Sequence, residues 1–376
     1  MIASRLVACG AALALAGCGF LGIGGGNART PTPLNPITAT VTPKATWSAS
    51  VGKAGAFRLF PDIEGGKVYT ANADGGVTIL AEDTGQVATR FESKKAVSGG
   101  VAAGDSVIVV GTMKGDVTAF DLTGKELWNT NLAGEVISPA SIAKKTAVVR
   151  TSDGRIYGIS LTDGKRRWVY QRPSPALLLR TESGVHIDGG DVIAGYPGGK
   201  LIALDIDDGK LTWEVNVSLP RGATELERIA DVAGVPYLDG PRVCAAAFQG
   251  KVACFEIQTR NMVWSRDVSS SRALAADAKN IYVVDDSGAV HALDKNSGAS
   301  LWKQDKLLYR RLTAPVIAGG NVLVGDGYGF LHVLSPTDGS LIGRMSVDGG
   351  AVNALVAATK GVVVQTAGGT VSLVNF

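Results

Sequence analysis

Residue types that often carry chemistry are sparse in this chain of 376 residues, which has three histidines and four cysteines. His291 and His332 occupy the same position of two successive copies of a repeated pattern, where other copies hold Thr118 or Tyr157. We interpret both histidines as structural. Residues 205–209 resemble a calcium loop in their acidic spacing but lack its distal glutamate. No HExxH, CxxC, GxSxG or phosphate-binding loop occurs, so we predict no catalytic residue, no metal site and no cofactor.

The first residues have the pattern of a secretory signal. Residues 6–16 form an apolar run that is too short to span a bilayer, and the run ends in Leu15-Ala16-Gly17-Cys18. That string resembles the lipobox of bacterial lipoproteins, in which the cysteine becomes the acylated N-terminus. We therefore predict a signal peptide over residues 1–17, lipidation of Cys18, and a flexible tether rich in Gly, Pro and Thr over residues 18–42.

The other two cysteines of the mature chain, Cys244 and Cys254, flank a predicted hairpin around Gly250. A turn with an odd number of residues would place them opposite each other and allow a cross-strand disulfide in an oxidising compartment. A two-residue turn at Gln249-Gly250 would instead pair Cys254 with Ala245 and leave a buried free thiol. The spacing leaves both alternatives open.

Composition indicates a globular protein without a nucleic-acid site. Hydrophobic residues make up 45 % of the chain and charged residues 19 %, and the formal net charge of +3 is spread without any run of Lys or Arg. A large core is therefore possible, and the basic patch that nucleic-acid binding needs is missing.

One pattern of strand, glycine turn, strand, polar residue, second glycine turn and tryptophan repeats along the chain. Its first turn glycines lie at positions 76, 115, 154, 199, 250, 288, 329 and 369. A spacing of roughly 40 residues is typical of four-stranded propeller blades. The sequence therefore predicts an all-β protein, an eight-bladed β-propeller of four-stranded antiparallel blades over residues 43–376.

The two ends of the chain complement each other in this pattern. The last copy ends at Phe376 after its third strand, whereas residues 44–48 resemble an isolated outer strand with its own tryptophan, Trp47. We predict that the N-terminal strand completes the final blade, because closing the ring removes exposed sheet edges.

Two copies are longer than the others. The extra residues include 173–184 and 221–232, and insertions of consecutive repeats should lie side by side on one face, often the binding face. The run of Leu177, Leu178, Leu179 and Arg180 combines aliphatic anchors with a guanidinium, as interaction hot spots do. The alternative is that residues 177–179 form a buried innermost strand, from which Arg180 reaches solvent.

The repeat resembles that of the PQQ-type β-propellers, which include two families. The quinoprotein alcohol dehydrogenases carry adjacent cysteines, calcium and a catalytic aspartate on a longer chain, and this sequence has no adjacent cysteines. The second family is BamB, the lipoproteins of the outer-membrane β-barrel assembly (BAM) complex. The resemblance to BamB extends over essentially the whole mature chain and is sharpest in residues 176–183, 224–232, 307–316 and 324–332.

The resemblance to BamB implies a binding site and a set of partners. The family's contact residues for the POTRA domains of BamA correspond to Leu177, Leu179, Arg180 and Asp231, whereas the family's second acid is replaced by Ala233. It implies a non-enzymatic scaffold on the periplasmic side of the outer membrane, anchored in the inner leaflet by its lipid. Other BAM subunits would be indirect partners, and unfolded outer-membrane proteins are further candidates.

Two other functions are compatible with the predicted fold. One is a quinoprotein-like periplasmic dehydrogenase, which would require bound quinone and calcium. The other is a propeller lipoprotein that binds a different partner in the cell envelope. The first would show visible absorption, and the second would not retain BamA.

Overall fold

Short β-branched segments separated by glycine turns form 32 strands in the computed structural model, which describes residues 29–376 apart from Ser174 and Ala176. The strands pair into eight antiparallel sheets of four strands each, all within the compact unit Pro31–Phe376. This confirms the predicted fold. The predicted signal peptide and Cys18 lie outside the described residues, and within the described range no helix is long and apolar enough to cross a membrane.

Blades 1 to 7 follow one another along the chain, each from its innermost to its outermost strand, and blade 8 combines β30–β32 with β1. The first four blades contain β2 (Asp62–Glu64), β3 (Lys67–Ala71), β4 (Gly76–Ala81), β5 (Val87–Glu92); β6 (Val101–Gly104), β7 (Val107–Gly111), β8 (Asp116–Asp121), β9 (Glu126–Asn131); β10 (Ser141–Ala143), β11 (Thr146–Arg150), β12 (Ile156–Ser160), β13 (Arg166–Tyr170); β14 (Val185–Asp188), β15 (Asp191–Tyr196), β16 (Lys200–Asp205), β17 (Leu211–Asn216). The last four contain β18 (Tyr237–Asp239), β19 (Arg242–Ala246), β20 (Val252–Glu256), β21 (Met262–Arg266); β22 (Ala275–Ala276), β23 (Asn280–Val284), β24 (Val290–Asp294), β25 (Ser300–Gln304); β26 (Val316–Ala318), β27 (Asn321–Gly325), β28 (Phe330–Leu334), β29 (Leu341–Ser346); β30 (Val352–Ala358), β31 (Gly361–Thr366), β32 (Thr370–Asn375), β1 (Lys44–Ser50).

The core lies between the blades rather than within any one of them. Eight clusters of buried apolar side chains each join two consecutive blades, and one of these joins blade 8 to blade 1. A single four-stranded sheet cannot bury its own faces, so each blade depends on both of its neighbours.

The N-terminal strand closes the ring, as predicted. Strand β1 pairs antiparallel with β32, and the register places Trp47 opposite Leu373. The hydroxyls of Ser48 and Ser372 are 2.8 Å apart. The outer strand of blade 8 therefore comes from the opposite end of the chain from its other three strands.

Tryptophans of the outermost strands connect neighbouring blades. Each indole donates a hydrogen bond of 2.8–3.0 Å to a carbonyl of the next blade: Trp47 to Glu82, Trp128 to Leu161, Trp168 to Ile206, Trp264 to Lys295, and Trp302 to Pro336. The ring lies against a turn glycine of that blade, where a Cβ would come within 2.4–2.8 Å of the indole: Gly85, Gly164, Gly209, Gly298 and Gly339. These glycines have positive φ. The second turn of the repeat therefore requires glycine for two reasons, because φ is positive and because the indole leaves no room for a Cβ.

One of these junctions departs from the rule. Arg260 occupies the position of the turn glycine in blade 5 and has a φ of 61°. The indole nitrogen of Trp213, which faces this blade, has no hydrogen-bond partner in the structure. The junction that carries a side chain in place of the turn glycine is therefore also one whose indole lacks the hydrogen bond to the next blade.

Blade 7 has no tryptophan, and the N-terminal segment takes its place. The equivalent residue is Gly343, and a Cβ there would lie 2.8 Å from the carbonyl oxygen of Val41. The backbone amides of Thr40 and Val41 both donate to the carbonyl of Ile342, at 2.9 and 3.0 Å.

The N-terminal segment also contacts the propeller at Thr32 and Asn35. The prediction of a flexible tether over residues 18–42 is therefore wrong for residues 32–42. The amide of Thr32 donates to the carbonyl of Leu308 at 3.0 Å. Two guanidiniums bind the segment's carbonyls, Arg310 at Thr32 (3.1 Å) and Arg344 at Asn35 (3.0 Å). The low periodicity of this segment gave no indication of docking, because the segment is held mainly through its backbone, with only Leu34 and Val41 packing against the core.

Cys244 and Cys254 are joined by a disulfide, with their Cα atoms 4.1 Å apart. The turn between β19 and β20 comprises residues 247–251, an odd number, so the two cysteines face each other in the register. The structure therefore selects the bridged alternative over the free thiol.

The departure at Arg260 leads to a pair of predictions of opposite sign. Replacing Arg260 by glycine should raise the free energy of unfolding by about 1 kcal/mol, because a side chain in the left-handed region is strained. The matched change Gly298→Ala should lower it by at least about 1–2 kcal/mol, because it adds that strain and a clash with Trp264. Urea unfolding measures both values, and equal effects of the two changes would contradict the expectation.

Candidate interaction site

The two insertions lie on one face of the propeller. The first insertion (residues 171–184) connects blades 3 and 4, and the second (residues 217–236) connects blades 4 and 5. Because successive strands alternate in direction, these connections share an end with the turns between the second and third strands of every blade. We call this end the loop face. The prediction that the insertions are neighbours on one face is confirmed by the hydrogen bond that joins them, described below.

The described residues of the first insertion form no strand. Leu177 is 41 % exposed, whereas Leu178 and Leu179 are half-buried over a cavity of about 20 Å³. The innermost strand of blade 4 is β14 (Val185–Asp188), so the alternative that residues 177–179 form that strand is wrong.

Arg180 extends from the first insertion back across blade 3. Its Nε and one terminal nitrogen lie 3.1 and 3.0 Å from the same carboxylate oxygen of Glu135, in the connection between blades 2 and 3. The hydroxyl of Ser152 donates to that oxygen as well, at 3.1 Å. More than half of the Arg180 side chain stays exposed, so the guanidinium is oriented by Glu135 and remains accessible.

Asp231 joins the two insertions. It is buried, and one carboxylate oxygen accepts the amide of Leu179 at 2.7 Å while the other accepts the amide of Gly198 at 3.0 Å. The Asp231 carbonyl accepts the amide of Phe248 at 2.9 Å. Asp231 therefore holds the backbone of Leu179 from the buried side of the insertion, and its carboxylate is not presented to solvent. Ala233, where the related family has a second acid, is also buried.

A buried guanidinium supports the floor of the first insertion. Arg150 donates to the carbonyl of Gly195 at 2.6 Å, and its guanidinium lies 5.9 Å from the ring centre of Tyr196. Burial lowers the pKa of Arg150 to about 10, while the nearby acidic groups Tyr196 and Asp231 act in the opposite direction. The group keeps its charge at neutral pH and lines the same small cavity as Leu179 and Asp231.

The middle of the second insertion forms a capped helical turn. The carboxylate of Glu227 accepts the amides of Ala223 (2.8 Å) and Thr224 (3.1 Å), while the Thr224 hydroxyl accepts the Glu227 amide at 3.3 Å. This reciprocal pattern is a capping box. The backbone hydrogen bonds lower the pKa of Glu227. Leu226 lies within this turn, between Thr224 and Glu227, and its side chain is 66 % exposed.

The structure thus brings all four predicted contact residues into one region but gives them different roles. Leu177 and Arg180 are exposed, Leu179 is half-buried, and Asp231 is a buried support. Sequence reasoning missed Glu135, whose position in another blade no local pattern reveals. It also missed the exposure of Leu226, although the Thr-x-x-Glu spacing of a capping box was readable.

The two repeat-related histidines are structural, as interpreted. In the buried His332, Nε2 bonds Asp326 at 2.9 Å and Nδ1 accepts a hydrogen bond from Arg344 at 3.3 Å. Burial lowers the pKa of His332, so the ring is neutral at pH 7. His291 bonds Asp285 in the same way at 2.9 Å. Among the described residues, no three His, Cys, Asp or Glu side chains are grouped to hold a metal.

These features define a class: an eight-bladed β-propeller whose inter-blade connections present an aliphatic and arginine surface on one face. Residues 73–304 and 306–376 match the family described as outer membrane protein assembly factor BamB. The chain belongs to the BamB family.

Individual relatives agree with this assignment. The BamB of Nitrosomonas eutropha is 41 % identical over 325 residues, covering 86 % of this chain and 77 % of that protein. The BamB of Bordetella pertussis is 36 % identical over 365 residues, covering 96 % and 94 %. The crystal structure of BamB from Moraxella catarrhalis superposes with a TM-score of 0.82 at 27 % identity, covering 89 % of this chain and all of that one.

The fold is shared more widely than the family. A quinohemoprotein alcohol dehydrogenase from Comamonas testosteroni superposes with a TM-score of 0.70 at 12 % identity, covering 90 % of this chain and 78 % of that one. At this identity the likeness shows the propeller alone.

The buried position of Asp231 gives a prediction about the first insertion. Asp231→Ala should cost about 1–3 kcal/mol of unfolding free energy, because the amides of Leu179 and Gly198 lose their acceptor. Hydrogen exchange of residues 177–183 should accelerate in the variant. The exposed Asp207 offers a control, and exchange unchanged in Asp231→Ala relative to Asp207→Ala would contradict a supporting role.

Proposed function

We propose that this protein is a non-enzymatic scaffold of the BAM complex and that its loop face binds the POTRA domains of BamA. The observation that carries the proposal is the first insertion, where Leu177 and the oriented guanidinium of Arg180 are exposed together on a segment fixed from below by Asp231. Arginine is enriched at interface hot spots, and a preorganised segment with an exposed aliphatic side chain beside it loses little entropy on binding.

The second insertion extends the proposed surface. Leu226 stands on a capped turn, and Leu219 in the same insertion is 59 % exposed. Exposed aliphatic side chains on both insertions of one face enlarge the apolar surface there, and large apolar patches mark interaction sites. The family description, an outer membrane protein assembly factor, supports a partner in that assembly.

The roles of the predicted contact residues differ within this proposal. Leu177 and Arg180 would touch BamA directly. Leu179 would contribute its exposed part, and Asp231 would act by holding the Leu179 backbone. The loss of the family's second acid at Ala233 removes a charge from this region, and the burial of Ala233 means that the change affects the support more than the contact surface.

An anchored location is part of the proposal. The sequence Leu15-Ala16-Gly17-Cys18 supports lipidation of Cys18 and attachment to the inner leaflet of the outer membrane, facing the periplasm. The docked segment meets the propeller at Thr32, which bonds Leu308 in a connection of the loop face. The chain therefore joins the propeller on the face that carries the proposed site.

A matched pair of triple variants tests the BamA site. Leu177→Ala/Leu179→Ala/Arg180→Ala should weaken BamA binding by about 30-fold or more, since hot-spot truncations cost about 2 kcal/mol or more. The control Leu127→Ala/Leu301→Ala/Arg166→Ala removes similar side chains from exposed positions of outermost strands. Co-purification and calorimetric titration with the POTRA domains measure the effect.

The outcomes separate the partner from the site. Loss of binding in the first triple variant alone, with unchanged circular dichroism, is the expected result. Equal binding by both variants would place the BamA interface elsewhere on the propeller. No binding by the unaltered protein would overturn the choice of partner. A visible absorption spectrum of bound quinone would favour the dehydrogenase function instead.

The anchor has its own test. Replacing Cys18 by serine removes the thiol that acylation requires, so the protein should move from the outer-membrane fraction to the soluble periplasmic fraction. Fractionation followed by immunoblotting measures the shift. The change Cys9→Ser is the control and should leave the protein with the membrane. A Cys18→Ser variant that stays in the outer membrane as fully as the control would rule out anchoring through this residue.

A further inference from the structure

A cavity of about 420 Å³ opens on the loop face, and the leucines of the first insertion do not line it. Arg58, from the connection between blades 8 and 1, lines it together with Arg272 and Arg311 from the connections that follow blades 5 and 6. Arg58 and Arg272 also line an adjoining cavity whose wall includes Glu182 from the first insertion and Asn353 from β30. Residues from several blades and connections thus converge here, and we call the place the channel mouth.

The two acids that line the larger cavity, Asp285 and Asp286, are already satisfied, whereas Glu182 in the wall of the adjoining cavity acts on Arg272 through its charge. Asp285 accepts the hydroxyl of Ser287 at 2.6 Å and is bonded to His291. Asp286 accepts the hydroxyls of Ser269 and Ser271, at 2.5 and 2.8 Å. Their lone pairs are therefore used by the propeller itself.

The arginines of the channel mouth are not satisfied in this way. Within the described part of the chain, the guanidiniums of Arg58, Arg272 and Arg311 form no hydrogen bond and no ion pair. Each guanidinium offers five N–H donors, and such donors are normally paired when they are partly buried, as they are in Arg58 and Arg272, whereas Arg311 is exposed. The imbalance favours an acceptor from outside the chain.

Two of these cations oppose each other. Burial lowers the pKa of Arg272 to about 10, and the positive charge of Arg58 lowers it further, while Glu182 and Asp286 act in the other direction. Arg272 stays charged at neutral pH. An anion between the two guanidiniums would relieve both their repulsion and their lost hydration.

The third arginine is presented by a strained but rigid loop. Tyr309 and Arg311 both have positive φ, 58° and 56°. Between them, the buried guanidinium of Arg310 bonds the carboxylate of Asp326 at 2.7 Å, which fixes the loop to blade 7. Strain of this kind persists only where the surroundings impose it, and it is concentrated at binding sites.

We propose that the channel mouth is a second binding site, in which Arg58, Arg272 and Arg311 hold a carboxylate side chain of an acidic polypeptide segment. The chemistry of the walls favours a polypeptide over a free anion, because the adjoining cavity continues past Phe60 and Leu355 with both apolar and polar groups. An acidic segment can place its carboxylates on the guanidiniums and its chain along that wall. This site is independent of the leucines and Arg180 of the first insertion.

Titration calorimetry at low salt tests the proposal with a defined probe. The probe is an N-acetylated, C-amidated hexapeptide of alternating glutamate and alanine, and its glutamine counterpart is the uncharged control. The double variant Arg58→Gln/Arg311→Asn should bind the glutamate peptide about tenfold more weakly or worse, because two charge-assisted contacts are lost. Asparagine is chosen at position 311 because it tolerates positive φ. Arg166→Gln, an exposed position on β13, should bind as the unaltered protein does.

Several results would overturn the proposal. They are the absence of saturable binding of the glutamate peptide, equal binding of the glutamine peptide, and equal binding by the double variant. The peptide comparison uses the unaltered protein, so it decides even where the double variant is poorly folded. Inorganic phosphate that binds as tightly as the peptide would reassign the site to small anions. Since the leucine triple variant keeps all three arginines, its peptide binding should be normal whether or not it binds BamA.

Discussion

Burial between blades is the interaction on which the rest of the structure depends. Every cluster of the core is shared by two neighbours, and the cluster between blades 8 and 1 exists only because β1 supplies Trp47 to the last blade. Removing that strand would expose the edge of β32 and the adjoining core together. The loops of the loop face have defined positions because the blades that carry them are fixed to one another.

The loop face shows how buried polar groups position exposed ones. Asp231 holds the backbone of Leu179, and the pair formed by Arg310 and Asp326 holds the loop that presents Arg311. In both cases the buried charge has several hydrogen-bond partners, as it needs in order to be tolerated away from water. Binding loops without regular secondary structure are thereby preorganised, which lowers the entropy lost when a partner binds.

The irregularities of the repeat have physical explanations in the structure. Gly343 replaces a tryptophan where the backbone of Val41 approaches closely, and Arg260 replaces a glycine where the indole of Trp213 lacks an acceptor. The first is compensated by the docked N-terminal segment, whereas the second remains a strained junction. The consequences of both substitutions depend on which segment lies next to them in the folded ring.

The sequence by itself determined the repeat, the number of blades, the closure by the N-terminal strand, and the two insertions on one face. These follow from local periodicity, which is written in consecutive residues. Only the tertiary structure decided the roles of individual residues. It buried Asp231 beneath Leu179, paired Arg180 with Glu135, bridged Cys244 and Cys254, and gathered three arginines from separate connections. Such contacts join positions far apart in the chain, and they are set by how the blades pack, which no local pattern records.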